Sequence, residues 1–145
     1  MGNQTAARET SRKDGKRVSY GIAASTKVYK GEILNAQHGN TPTSEGYAIQ
    51  PRAAAGSQTD SFLGIAYETV DNSAGADGAK SVLVDKSGVH AFVAASADIT
   101  WIGKPVYASD SQTVTLTSTN AMLVGYVVGV DSATQVRVRI DRAVQ

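Results

Sequence analysis

The chain has 145 residues, no cysteine and a formal charge of +1. That length suits one domain of ordinary size that buries a core without staples, and the missing cysteine excludes disulfides, thiolate metal sites and cysteine nucleophiles. A near-neutral balance gives the whole chain no pull toward nucleic acid or membrane, no apolar run approaches the roughly 18 residues of a spanning helix, and the N-terminus lacks the apolar stretch of a secretory leader.

Residues 1–19 read as a polar, basic arm without apolar periodicity. Arg8, Arg12, Lys13, Lys16 and Arg17 stand against Glu9 and Asp14, a local charge of +3, and the remainder carries −2. Such a segment buries too little apolar surface to offset its ordering entropy, so it is expected to be mobile when alone, either as a tail with no role or as an arm that orders on a partner protein.

From residue 20 the chain reads as one all-β domain, a small β-barrel or β-sandwich. Candidate strands run from Glu32 to Asn35, Tyr47 to Gln50, Phe62 to Val70, Ser81 to Asp85, Val89 to Val93, Val106 to Ala108, Thr113 to Thr117, Leu123 to Val130 and Val136 to Ile140. The last alternates apolar and charged residues, the period-two pattern of a half-buried strand. Thr113 to Thr117 alternates likewise and is rich in β-branched residues. Turn signals separate the strands: Gly39-Asn40, Asp71-Asn72-Ser73, Asp77-Gly78, Ser87-Gly88, Ser109-Asp110-Ser111 and Asp131-Ser132. Asp85 to Val89 reads as a tight hairpin loop with Gly88 supplying positive φ. A short helical turn fits near Ser96 to Ile102.

The domain repeats itself, over about 27–94 and 98–141. Lys30-Gly31-Glu32-Ile33-Leu34 in the first copy answers Ile102-Gly103-Lys104-Pro105-Val106-Tyr107 in the second. Each copy then reaches an alternating strand, and after it a glycine-centred apolar strand, Phe62-Leu63-Gly64-Ile65-Ala66 or Leu123-Val124-Gly125-Tyr126-Val127. An acidic turn and a further strand follow in both. A glycine inside a strand permits a bulge, a bend or close backbone approach. Two such units are expected to share a core and close each other's edges.

The element Gly103-Lys104-Pro105-Val106-Tyr107 resembles the G-x-P-V-Y element of the small head decoration (cement) proteins of tailed bacteriophages. The ending Leu123 to Val127, a small-residue turn, then Val136 to Ile140 is similar to the same family, as is Leu63-Gly64-Ile65-Ala66 in the first half. The resemblance covers about residues 18–140. It implies a compact β-barrel-like domain on the outer surface of the virion capsid. The partners it implies are the major capsid protein and further copies of the chain, most often as a trimer and also as a dimer, with no catalysis. The loop from Ala36 to Ser44, the turn from Asn72 to Ala79 and the arm are longer here than in the compact family form.

Contacts to the capsid are expected from Arg8, Arg12, Lys13, Lys16, Arg17, Tyr20 and Trp101. Trp101 has two readings, a core cap of the barrel or an interface anchor. Arg137 and Arg139 share one face of the last strand and could meet the acidic turns of a neighbouring copy. No catalytic group, metal or cofactor is expected. His90 with Asp85 and a serine imitates a triad, yet no nucleophile elbow accompanies it, and two isolated histidines, His38 and His90, make a poor zinc site. The acidic turns lack EF-hand spacing. Two other classes stand beside this one. A carbohydrate-binding or fibre-tip module would need exposed aromatics. Nucleic-acid binding through the arm would show a salt slope of at most about −4 to −5, opposed by the acidic body.

Overall fold

The computed structural model describes residues 14–39, 44–52 and 59–145. The described residues are all-β apart from one turn of 3-10 helix. The strands are β1 (Arg17–Gly21), β2 (Thr26–Val28), β3 (Ile33–Ala36), β4 (Ala48–Ile49), β5 (Ser61–Ala66), β6 (Val70–Asn72), β7 (Ser81–Asp85), β8 (Val89–Val93), β9 (Pro105–Ala108), β10 (Val114–Thr115), β11 (Leu123–Ser132) and β12 (Gln135–Arg139), with the helical turn at Ile99–Trp101. That turn begins at Asp98, whose carboxylate accepts the Thr100 N–H at 2.8 Å and so satisfies a donor at the helix start.

Two five-stranded antiparallel sheets carry the fold, one ordered β1-β7-β5-β3-β4 and the other β8-β12-β11-β9-β10. Taken in chain order, the strands of both sheets follow one path, so the sheets are structural repeats. Matched hydrogen bonds extend the likeness. Gly31 N–H donates to Ala66 O at 2.8 Å, and Gly103 N–H donates to Val127 O at 2.8 Å. Both glycines have positive φ, at 90° and 83°. Lys86 N–H bonds Lys16 O, and Ile140 N–H bonds Gly88 O. Both sheets also carry a bulge at the glycine strand, between β3 and β5 and between β9 and β11. A Cβ placed on Gly64 would overlap the carbonyl oxygen of Asp85, and one on Gly125 would overlap that of Arg139. These strands therefore approach their neighbours too closely for any side chain.

The matched bonds move the repeat boundary. The first unit begins at Lys16 and ends at Lys86, and the second runs from Gly88 to Ile140. β1 thus takes Arg17 to Gly21 into the first sheet, where residues up to 19 were expected in the arm. Asp85 to Val89 is not a hairpin. β7 is already paired on both sides, by β1 and β5, and β8 pairs β12 in the other sheet. The segment is the link between units, and Gly88 has φ +103°.

No closed barrel forms among the described residues. Each sheet curls until its edges touch through one parallel bridge, Ile22 to Ala48 in the first and Val93 to Thr113 in the second. Each unit accordingly has its own core. The first contains Ile22, Val28, Leu34, Leu63, Val82 and Val84, partly closed by the β2–β6 ribbon. The second contains Phe92, Trp101, Val106, Val124, Val136 and Val138. The units join because Ile33, Phe62 and Ile65, on the opposite face of the first sheet, belong to the second core. Across that junction Ile33 N–H donates to Ser111 O at 2.8 Å. Pro105 stands at the matching place in the second unit, aligned with Tyr126 as Ile33 is with Ile65. It has no N–H to leave unpaired there.

Candidate functional site

Arg8, Arg12 and Lys13 lie outside the described residues. The pairing of β1 with β7 brings Arg17 to Asp85 on one face of the sheet and Tyr20 beside Lys86 on the other. Lys16 O accepts the Lys86 N–H at 2.8 Å. Arg17 Nε donates to Asp85 Oδ1 at 2.8 Å, and its guanidinium lies 3.8 Å from the centre of the Tyr67 ring. The bond to Asp85 holds the Arg17 pKa above its ordinary value. Lys86 Nζ donates to Tyr20 Oη at 2.7 Å and also reaches Gln145 O, which ties the C-terminus to β1. Lys30 stacks on Tyr67 at 5.6 Å and Lys27 on Tyr29 at 5.0 Å. Tyr29 is 52% exposed and Tyr67 38%. Arg17, Lys30 and Tyr67 therefore form an exposed cluster of cations on a tyrosine, and Lys27 and Tyr29 a second such pair, both suited to acidic or planar groups.

The second unit carries apolar residues at the matching places. Val89, at the start of β8, answers Arg17 at the start of β1. Ile102 answers Lys30 before the paired glycines Gly103 and Gly31. Val128, after Val127, answers Tyr67, after Ala66. These three are exposed, as is Ile99.

Trp101 is 8% exposed and packs within the second core. Arg137 is exposed, but it meets an acid of its own chain, since its Nε lies 3.0 Å from Asp131 Oδ1 across the β11–β12 turn. Hairpin geometry places a residue before the turn beside one after it, within reach of a long side chain. Arg139 is exposed, aligned with Tyr126 on one side and Val89 on the other. Arg137 and Arg139 thus share a solvent face, as alternation required.

Sequence reasoning did not pair the cations Arg17 and Lys86 with Asp85, Tyr67 and Tyr20. It also missed a buried acid. Asp60 lies in the loop before β5 with a fully buried carboxylate. It accepts Arg52 Nε at 2.9 Å, Arg52 Nη2 at 3.0 Å, the His38 N–H at 2.8 Å and Asn35 Nδ2 at 3.1 Å. Burial pushes the Asp60 carboxyl up, but these donors outweigh it and hold the group below its ordinary value. This is structural anchoring of the loop between β3 and β4.

The other acidic turns satisfy backbone. Asp77 takes the Ala24 N–H at 2.7 Å and Ser44 Oγ at 2.6 Å, and Asp71 takes the Ser73 N–H at 2.9 Å. Asp110 takes the N–H groups of Gln112 and Thr113. Among the described residues no group of three His, Cys, Asp or Glu is placed to hold a metal. His90 Nε2 lies 3.1 Å from Ser87 O, and Asp85 Oδ1 accepts from Arg17. His38 Nδ1 lies 3.3 Å from Glu45. No described helix is long and apolar enough to cross a membrane. Comparison of the chain with family models, with curated proteins and with solved structures finds no match.

Proposed function

We propose that this chain is a non-enzymatic decoration protein that binds the outside of a phage head at junctions of the major capsid protein and stabilises the expanded shell. One observation carries the reading. The residues behind the family resemblance occupy the positions that set the backbone: Gly103 at positive φ, Pro105 at the start of β9, and Gly125 where β11 crowds β12. Such a motif specifies a scaffold rather than a reaction centre.

The mechanism is mass action. A protein that binds only the assembled shell stabilises it by its binding free energy, and many copies bridging subunits add avidity. The cations of β1 and of the arm set orientation and on-rate more than affinity, because exposed ion pairs contribute only about 0–1 kcal/mol each. Self-association, with a trimer favoured, belongs to the same proposal. The test is electron microscopy of expanded shells mixed with the protein, in which added density at subunit junctions is expected. Shells left bare at saturating protein refute the reading. Deleting residues 1–13, which leaves β1 whole, is expected to weaken attachment, and undiminished binding removes the arm from the account.

Exposure of Tyr29 and Tyr67 favours a second reading, a carbohydrate-binding module whose tyrosines stack on sugar rings. Retention on a glycan array that is lost in the double variant Tyr29→Ala, Tyr67→Ala would establish it in place of the first.

A further inference from the structure

We infer that the crevice between the two units, beside Tyr29, binds a neutral saccharide. The cavity measures about 570 Å³, within the roughly 300–1,000 Å³ of small-ligand sites. Both units build it, with Tyr29, Lys30 and Glu32 on one wall and Ser111, Gln112 and Gln135 on the other.

The walls are held in place by bonds across the junction. Glu32 Oε1 accepts from Ser111 Oγ at 3.1 Å, and the Ile33 N–H donates to Ser111 O at 2.8 Å. Glu32 Oε2 accepts the Tyr29 N–H at 3.0 Å, and Gln112 O accepts the Val93 N–H at 3.0 Å. The backbone that carries Tyr29 and Gln112 is therefore fixed before any ligand arrives, which lowers the ordering cost of binding.

The side chains select the ligand by ring, hydrogen bonds and charge. Tyr29 is 52% exposed, although Lys27 lies over the ring at 5.0 Å. The repeated fold does not demand that exposure. Tyr29 stands two places before Gly31 as Trp101 stands two places before Gly103, and Trp101 is buried in its unit's core. With the exposed Ala91 and Val93 of the second unit, the Tyr29 ring offers apolar surface to the C–H face of a sugar. The carboxamides of Gln112 and Gln135 and the Tyr29 hydroxyl make no hydrogen bond among the described residues. A carboxamide both donates and accepts, as a sugar hydroxyl does. The lining holds one cation, Lys30, and one acid, Glu32, so its net charge is zero. Lys27, beside it, has Asp71 at 3.8 Å. A carboxylate or sulfate on the ligand would leave water without a surplus of opposite charge to receive it, whereas neutral hydroxyls meet matched donors and acceptors.

This inference rests on the carbohydrate reading and narrows it to one crevice and one ring. The full chain is applied to an array of neutral and sialylated glycans, and the neutral glycan retained best is then titrated in solution. Neutral glycans are expected to be retained over their sialylated forms. Tyr29→Ala and the double variant Gln112→Ala, Gln135→Ala change exposed side chains only. Each is expected to bind that glycan at least about tenfold more weakly. Tyr67 does not line the cavity, and Tyr67→Ala is expected to bind as the wild type does. Wild-type binding by the double glutamine variant overturns the crevice and leaves the carbohydrate reading standing. Stronger retention of sialylated glycans overturns the neutral class and the inference with it. An array that retains no glycan at saturating protein overturns the carbohydrate reading as well.

Discussion

Glycine-to-alanine substitution at three positions separates two costs that the repeated units combine differently. Gly103 has φ +83° and nothing within 4 Å of an added Cβ. Gly103→Ala therefore meets only the left-handed backbone penalty, about 1 kcal/mol. At Gly125 no positive φ is required, but an added Cβ would overlap Arg139 O and come within 2.8 Å of Val138 Cγ1. Ordinary carbon contacts begin near roughly 3.5 Å, so β11 and β12 must part by something on the order of 1 Å where Tyr126 faces Arg139. The obstacle is backbone, which yields less readily than a side chain, so Gly125→Ala is expected to cost about 3 kcal/mol or more. Gly64 combines both terms, with φ +135° and overlap with Asp85 O, and Gly64→Ala is expected to be the worst of the three. Urea unfolding followed by Trp101 fluorescence and by circular dichroism measures the series. With a slope of about 1–3 kcal/mol per molar, Gly125→Ala should lower the midpoint by about 1 M or more. If Gly125→Ala costs no more than Gly103→Ala, the close approach of β11 to β12 is not a rigid requirement and the account of the glycine strand is wrong.

Trp101→Ala is expected to destabilise by about 3–5 kcal/mol, because the ring is buried in the second core; a loss below about 1 kcal/mol by thermal or urea unfolding would return Trp101 to the surface. Acid should weaken the fold. The carboxyls of Asp60, Asp71, Asp77, Asp98 and Asp110 are all held below their ordinary values. The unfolded chain then binds more protons as pH falls past about 4, so their contribution is whole above the unfolded pKa and is lost as pH drops through the folded values. Melting midpoints between pH 7 and pH 3 should fall most steeply below about pH 4, and a flat profile would contradict these hydrogen-bond assignments. Asp60→Asn should cost about 1–3 kcal/mol and flatten part of that profile, since Arg52 loses its charged partner.

Periodicity disclosed most strands, because alternation records which side chains face a core. The second strand of each hairpin-like pair, such as Val136 to Ile140, shows this plainly. β1, β2 and β6 escaped detection; Phe62 to Val70 read as one strand and Asp71-Asn72 as a turn, whereas β5 ends at Ala66 and Val70 to Asn72 pairs with β2. Arg17-Val18-Ser19-Tyr20-Gly21 alternates, but it follows a run of cations that reads as arm, and Thr26 to Val28 is too short for a pattern. The hairpin expected at Asp85 to Val89 failed for a topological reason: turn chemistry fixes a local bend and says nothing about which strands already fill the sheet on either side. The group at β1 was half legible. Its cations stood out, whereas Asp85, Tyr67 and Lys86 lie far away in the chain and join only through strand pairing.

The chain's own letters determined an all-β body, a doubled unit and glycines inside its strands, since propensity, alternation and absent side chains are local properties. Tertiary structure alone decided that each unit curls around a separate core, that Trp101 turns inward where Tyr29 turns outward, and that Arg137 meets Asp131 of the same chain. Those outcomes depend on which surfaces meet in space, and no short stretch of sequence contains both members of such a contact.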